Sequence, residues 1–244
     1  ASRIYATTDL ELLAGEAQKY LDQGFTIMKQ RFGYGPRDGL PGMRKNLELV
    51  QTVREVIGPD VELAADAYMG WDVQYAIRMI RMLEDAGMNL KWVEEPVIPD
   101  DIDGYAEIAA ACDTLISGGE HEYTRYGFRE IIAKHAVDIV QVDVNRAGGF
   151  TECKKIWAMA SAYDLPVLPH AGQLHNYHLV MAHMNSPYAE YFPRPDGNPD
   201  GNEIFWNLFH GEPEVENGHI TLPETPGLGL EINWDTVNKY RWEG

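Results

Sequence analysis

Along the chain, short apolar runs alternate with longer stretches in which apolar positions recur every three or four residues. The runs RIYA (3–6), FTIMK (25–29), VELAAD (61–66), LKWVE (90–94), TLISGGE (114–120), DIVQVD (138–143), PVLPH (166–170) and SPYAE (186–190) read as eight strands. Between them the helical period predicts helices over about 9–23, 43–57, 73–86, 102–111, 125–134, 151–163 and 174–184. Thr7, Thr8 and Asp9 offer side-chain oxygens to cap the first of these. Strands separated by crossover helices pair in parallel, and eight of them favour closure over an open sheet. A doubly wound sheet is the competing architecture, but it normally carries a glycine-rich phosphate loop after its first strand, where this chain reads ATTDLE. The expected fold class is therefore α/β, a modified TIM barrel of the (β/α)7β type.

The last six runs each close on a chemically capable residue: Asp66, Glu94, Glu120, Asp143, His170 and Glu190, spaced 20 to 28 residues apart. In a parallel barrel the C-terminal strand ends converge on one face, so these side chains are expected around a single pocket. The loop RFGYGPRDGLPG after the second strand is rich in Gly and Pro and reads as a substrate-side loop of that face. From Phe192 onward, PRPDGNPDGNE and GHITLPETPGLGLEINW lack long helical periods. Residues 1–191 thus read as the barrel, and 192–244 as a C-terminal segment that packs back on the barrel or on a capping domain.

The length of 244 residues suits one barrel, which typically takes about 250. Against 20 Lys and Arg stand 38 Asp and Glu, a net charge of -18, which argues against a nucleic-acid or membrane-surface partner. Cys112 and Cys153 fall on expected helices without metal or redox spacing and read as free thiols. No window holds the roughly 18 unbroken apolar residues of a membrane span, and ASRIYATTDL has no basic stretch leading into an apolar one. The expectation is a soluble, cytoplasmic protein. The chain opens almost directly on a barrel strand, so a preceding part of the natural protein is expected to be absent.

Three carboxylates on successive strand ends, Asp66, Glu94 and Glu120, would repel one another in a common pocket, and a hard divalent cation resolves that repulsion. Mg²⁺ prefers such oxygen ligands and leaves positions open for substrate. At the fourth strand, alternation turns only one of Glu94 and Glu95 inward, and spacing alone does not choose between them. Asp143 and His170 form a second constellation, in which a carboxylate orients an imidazole and prepares it as a general base.

The segments DAYMGW, KWVEEPVIPDD, SGGEHE, QVDVNRAGG, LPHAGQLHNYH and SPYAEYF resemble the mandelate racemase branch of the enolase superfamily, and within it the acid-sugar dehydratases of the L-rhamnonate dehydratase type. In that superfamily a Lys or His base works with one or two Mg²⁺ ions. The resemblance, which covers nearly the whole chain, implies that Asp66, Glu94 and Glu120 bind Mg²⁺, with the first Glu of Glu-Glu-Pro preferred. It further implies that Asp143 and His170 are the catalytic dyad and that Glu190, protonated, hydrogen-bonds the developing enolate opposite the cation. An N-terminal capping domain, absent from this chain, would supply substrate contacts, and the protein would be a homo-oligomer.

One departure bears on the reaction. Many members of that branch carry Lys-x-Lys on the second strand, the second Lys serving as a base, whereas the matching residues here are Lys29, Gln30 and Arg31. Arginine keeps its proton at physiological pH, so Arg31 reads as an electrostatic clamp. A single base, His170, could remove the C2 proton of a 2,3-dihydroxy acid and return it to the departing 3-hydroxyl. The expected reaction is dehydration of a sugar acid such as L-rhamnonate or L-lyxonate to the 2-keto-3-deoxy acid. Lys29, Arg31, His121 and Trp71 are candidate substrate contacts. The alternatives are a racemase or epimerase on the same scaffold, for which Lys29 is the base available opposite His170, and a non-catalytic barrel.

Overall fold

The structure, a computed structural model, describes residues 8–192 and 206–242. The strand expected at 3–6 lies outside the described residues. Helix α1 (Leu10–Asp22) begins at Asp9, whose side chain accepts the N–H groups of Glu11 and Leu12. There follow strand β1 (Ile27–Arg31), helix α2 (Gly39–Ile57), β2 (Glu62–Asp66), α3 (Val73–Asp85), β3 (Trp92–Glu94), α4 (Ile102–Ala111), β4 (Leu115–Gly118) and α5 (Thr124–Ala133). Then come β5 (Ile139–Val140), α6 (Val144–Ala147), α7 (Phe150–Ser161), α8 (Leu174–Ala182), β6 (Phe209–His210), β7 (Glu231–Ile232) and α9 (Trp234–Lys239). Aspartates recur as helix caps, with Asp72 on α3, Asp101 on α4 and Asp143 on α6, each accepting backbone N–H groups of the first turn.

β1 to β5 pair in parallel, in chain order. Where a seventh strand is expected, Val167 makes an isolated parallel bridge to Val140. The hydrogen bonds nonetheless continue along that run, from Leu168 N–H to Val140 O (3.0 Å) and from His170 N–H to Val142 O (2.9 Å). Pro166 and Pro169 have no N–H to donate, which interrupts the ladder between them. The run expected as the eighth strand, 186–190, joins no ladder among the described residues. It docks through side chains instead: Ser186 Oγ donates to Val167 O (2.8 Å), and Tyr188 donates its hydroxyl to Glu62 Oε2 (2.6 Å).

Two apolar cores separate along the alternation of these strands. Met28, Leu63, Val93, Ile116, Val140 and Val167 face outward and pack with helix residues such as Val53, Met79, Ile108, Ile132 and Trp157. Ala64, Trp92, Ile139 and Leu168 face inward with Ile27 and Tyr188. A parallel sheet with an outer helix layer and a separate interior layer of side chains is the construction of a TIM-type barrel. The C-terminal residues lie against it: His178 Nε2 reaches Leu228 O at 3.0 Å, and β6 pairs antiparallel with β7. No helix among the described residues is long and apolar enough to cross a membrane.

Candidate active site

The inward face carries polar residues at its C-terminal end. On β1, Ile27 begins a row that continues through Lys29 to Arg31, while Met28 and Gln30 point into the helix layer. Lys29 Nζ is paired with Glu94 and sits 2.8 Å from Glu190 Oε1, bridging the third strand to the last segment. Arg31 Nε lies 3.2 Å from Asp66 Oδ2, and the other oxygen of Asp66 accepts the Tyr68 N–H at 2.8 Å.

Glu94 and Glu95 are both buried, at 1% exposure each. Alternation alone would send one of them outward. Glu95 escapes it by adopting a left-handed backbone (φ 41°), which turns its carboxylate to His121, with Oε1 2.8 Å from Nδ1. Tyr68 (φ 47°), Met69 (φ 59°) and Ala171 (φ 70°) share this conformation at neighbouring strand ends. Such backbone costs about 1–3 kcal/mol per non-glycine residue and concentrates at functional sites.

Asp143 ends the sixth run and serves two purposes. Its Oδ1 caps α6 by accepting the N–H groups of Asn145 and Arg146, each at 2.9 Å. Its Oδ2 meets His170 Nδ1 at 2.8 Å. His170 Nε2 faces Glu120, 3.3 Å from Oε2. Arg146 in turn holds Glu120, donating to its main-chain oxygen at 3.0 Å and lying 3.5 Å from Oε1. Asn176 fixes the turn after the histidine by donating to His170 O (2.6 Å) and Ala171 O (2.5 Å), and the Ala171 N–H meets Glu190 Oε2 at 2.6 Å.

Nine of the ten residues singled out from sequence thus share one cluster: Asp66, Glu94, Glu120, Asp143, His170, Glu190, Lys29, Arg31 and His121. Trp71 lies apart from it. Its ring, 6% exposed, packs on Phe32 (4.6 Å) and Tyr75 (5.4 Å), and its indole N–H donates to Tyr34 O at 3.0 Å. It therefore pins the loop after β1, together with Asn46, which accepts the N–H groups of Gly33 and Tyr34.

Burial and mutual repulsion dominate the electrostatics. Burial, reinforced by Glu94, pushes Asp66 up to about 7 and Glu95 up to about 8. Burial likewise lifts Glu120 to about 7, against the pull of His170. Burial works to lower His170, but Asp143, Glu120 and Glu190 outweigh it and raise the imidazole to about 9. Glu190 goes the other way: burial would raise it, yet the Lys29 ammonium and His170 bring it down to about 2. Lys29 is the hydrogen-bond donor on that side.

The cluster therefore holds more buried carboxylate than its cations satisfy. Glu95, Glu120 and His121 present ligand atoms all within 4.8 Å of one another, a group that could hold a metal ion. Glu95 Oε2 is buried with no hydrogen-bond partner. An oxygen-dominated set with unspent charge fits a hard divalent cation. Sequence reasoning left Glu95 open as the alternative to Glu94 and did not single out Arg146 or Asn176, which nothing in the spacing marked.

Residues 12–236 match the family model described as enolase C-terminal domain-like. The chain belongs to that family. It is 39% identical over 234 residues to the L-rhamnonate dehydratase of Saccharopolyspora erythraea, covering 94% of this chain and 57% of that relative. Among solved structures it resembles rhamnonate dehydratase from Gibberella zeae complexed with Mg, with a TM-score of 0.80 and 39% identity over 90% of this chain and 54% of that one. It also resembles the 3,6-anhydro-D-galactonate cycloisomerase of Zobellia galactanivorans, with a TM-score of 0.85 and 32% identity over 98% of this chain and 64% of that one. The chain thus spans little more than half the length of these dehydratases.

Proposed function

We propose that this enolase-family barrel is the catalytic domain of a Mg²⁺-dependent acid-sugar dehydratase. Its reaction would remove the C2 proton of an aldonic acid such as L-rhamnonate or L-lyxonate and expel the 3-hydroxyl. The observation that carries the reading is the dyad, His170 Nδ1 on Asp143 Oδ2 at 2.8 Å, with Nε2 turned into the carboxylate cluster. The 39% identity to an L-rhamnonate dehydratase supports it.

Asp66, Glu94 and Glu120 would hold the Mg²⁺, with Glu95 and His121 grouped beside Glu120. When bound, the ion supplies Lewis-acid stabilisation for charge that develops on the substrate carboxylate. Asp143 accepts a hydrogen bond from the His170 Nδ1–H, which fixes the tautomer and leaves Nε2 as the proton acceptor. Were Glu120 engaged as a metal ligand, less of its charge would act on His170, whose proton affinity it now raises. His170 Nε2 takes the C2 proton, and the resulting imidazolium returns it to the 3-hydroxyl as the C3–O bond breaks. Water and an enol leave that step, and the enol becomes the 2-keto-3-deoxy acid. Lys29 and Arg31 orient the carboxylate end of the substrate.

Geometry also weighs against a two-base racemase. Lys29 spends its ammonium on Glu94 and Glu190, so it is not a free amine opposite His170. The test is a panel of aldonic acids given to the full-length protein with Mg²⁺, scored with a carbonyl-specific reagent. A 2-keto-3-deoxy product from L-rhamnonate or L-lyxonate upholds the reading. C2 hydrogen exchange without product would replace it with racemisation.

A further inference from the structure

We propose that Arg146 is a positioning residue that holds the carboxylate of Glu120 and the imidazole of His170 in a fixed relation. The inference rests on the dehydratase reading, with Glu120 as metal ligand and His170 as base, and deepens it. Arg146 closes a ring of four residues. Its guanidinium donates to Glu120 O at 3.0 Å, and Glu120 Oε2 lies 3.3 Å from His170 Nε2. On the other side His170 Nδ1 meets Asp143 Oδ2 at 2.8 Å, and Asp143 Oδ1 accepts the Arg146 N–H at 2.9 Å. The two acids that flank the imidazole are therefore fastened to one residue, one by its side chain and the other by its main chain.

The chain itself holds the two ends of this ring with unequal firmness. Val144 and Ala147 bury α6, and the Ala147 N–H bonds to Asp143 O and the Gly149 N–H to Val144 O, both at 2.8 Å, so the backbone of Arg146 is a fixed platform. Glu120 instead lies two residues past the end of β4, after Gly119, whose φ of 116° leaves the extended ladder. A Cβ at Gly119 would come within 2.9 Å of Phe128 and 3.0 Å of Gln141 O, so that link carries no side chain to steady it. The guanidinium bonded to the next carbonyl supplies a restraint from outside. Its contact is directional more than ionic, because the main-chain oxygen is at 3.0 Å whereas Oε1 is 3.5 Å away. The Arg146 side chain is 37% exposed, so the contact adds little to overall stability, and its effect falls on where Glu120 stands. Groups that orient a metal ligand without touching the ion act in this way.

The test titrates full-length wild type, Arg146→Ala and Arg146→Lys with Mg²⁺, followed by calorimetry and by melting temperature. Arg146→Ala is expected to bind Mg²⁺ about 10–100-fold more weakly, the range for loss of a ligand's outer partner. At saturating Mg²⁺ its kcat for L-rhamnonate should also fall, with KM near wild type, because His170 loses its register with Glu120. Arg146→Lys, which can still donate to Glu120 O, should recover part of both losses. Unchanged Mg²⁺ affinity or unchanged kcat in Arg146→Ala overturns the proposal, whether or not the metal-free melting temperature falls. Tighter Mg²⁺ binding overturns it too, since that marks the guanidinium as a competing cation. Wild-type protein that binds Mg²⁺ but is silent on every aldonic acid would instead overturn the dehydratase reading, and the affinities alone would then decide the role of Arg146.

Discussion

His170 Nδ1 and Asp143 Oδ2 meet at 2.8 Å although 27 residues separate them in the chain. The aspartate reaches the histidine with one oxygen while the other caps α6, so helix and dyad share a single anchor. Asp143→Asn separates the two duties. An asparagine oxygen still accepts the N–H groups of Asn145 and Arg146, and the melting temperature should stay close to wild type. Loss of the charge and of the enforced tautomer should lower turnover by about 10²–10⁴-fold. Unchanged turnover in this variant would remove the dyad from the mechanism.

Metal binding is open to a test without turnover. Because Glu120 stands at the meeting of both histidines and Arg146, its removal should be felt by any ion in the cluster. Mg²⁺ at 100 times its Kd should stabilise the metal-free protein by about 2.7 kcal/mol, seen as a higher melting temperature. Glu120→Gln should lose most of that gain. A variant stabilised as much as wild type would take Glu120 out of the ligand set.

Much of this cluster was legible in the sequence, and each part that was not has its own physical cause. Asp66, Glu94, Glu120 and Asp143 could be found because a parallel barrel brings every strand end to one face, so a residue type at the end of an apolar run carries spatial meaning. His170 and Glu190 were found the same way, although Pro166, Pro169 and the side-chain docking of 186–190 left them outside regular ladders. Alternation failed at Glu95, which a positive φ turns toward His121. No period-two pattern encodes a left-handed residue. Arg146 and Asn176 were hidden because their partners, Glu120 O and His170 O, are main-chain atoms brought close by folding. Nearness of Trp71 to Asp66 in sequence does not say which side of the turn a ring takes, and the ring packs on Phe32 and Tyr75.

The last barrel segment should depend on one hydroxyl. Ser186 Oγ accepts the indole N–H of fully buried Trp157 at 2.7 Å and donates to Val167 O at 2.8 Å. Ser186→Ala leaves both partners buried and unsatisfied, so it should destabilise the protein by about 1–3 kcal/mol. Urea unfolding of the variant measures this. No shift in midpoint would mean that apolar packing alone seats the segment.

The two thiols should be slow to react, in a definite direction with pH. Burial, with Glu84 adding to it, pushes Cys112 up to about 11, and burial with Asp143 pushes Cys153 up to about 12. The thiolate is the reactive form, so at pH 8 only about one Cys112 in a thousand is nucleophilic, and its rate should climb as pH rises toward 11. A disulfide reagent should label the native protein far more slowly than the urea-unfolded one. Rapid native labelling at pH 8 would contradict this.

The central claim is that His170, acting through Nε2 and oriented by Asp143, removes the C2 proton of an aldonic acid. The most direct measurement follows L-rhamnonate with Mg²⁺ and full-length protein in D₂O by NMR, comparing wild type with His170→Asn. Wild type is expected to consume the C2 proton signal and yield the 2-keto-3-deoxy acid, with both rates about 10²–10⁴-fold lower in the variant, the range for loss of a general base. A variant that exchanges and dehydrates at the wild-type rate would contradict the account.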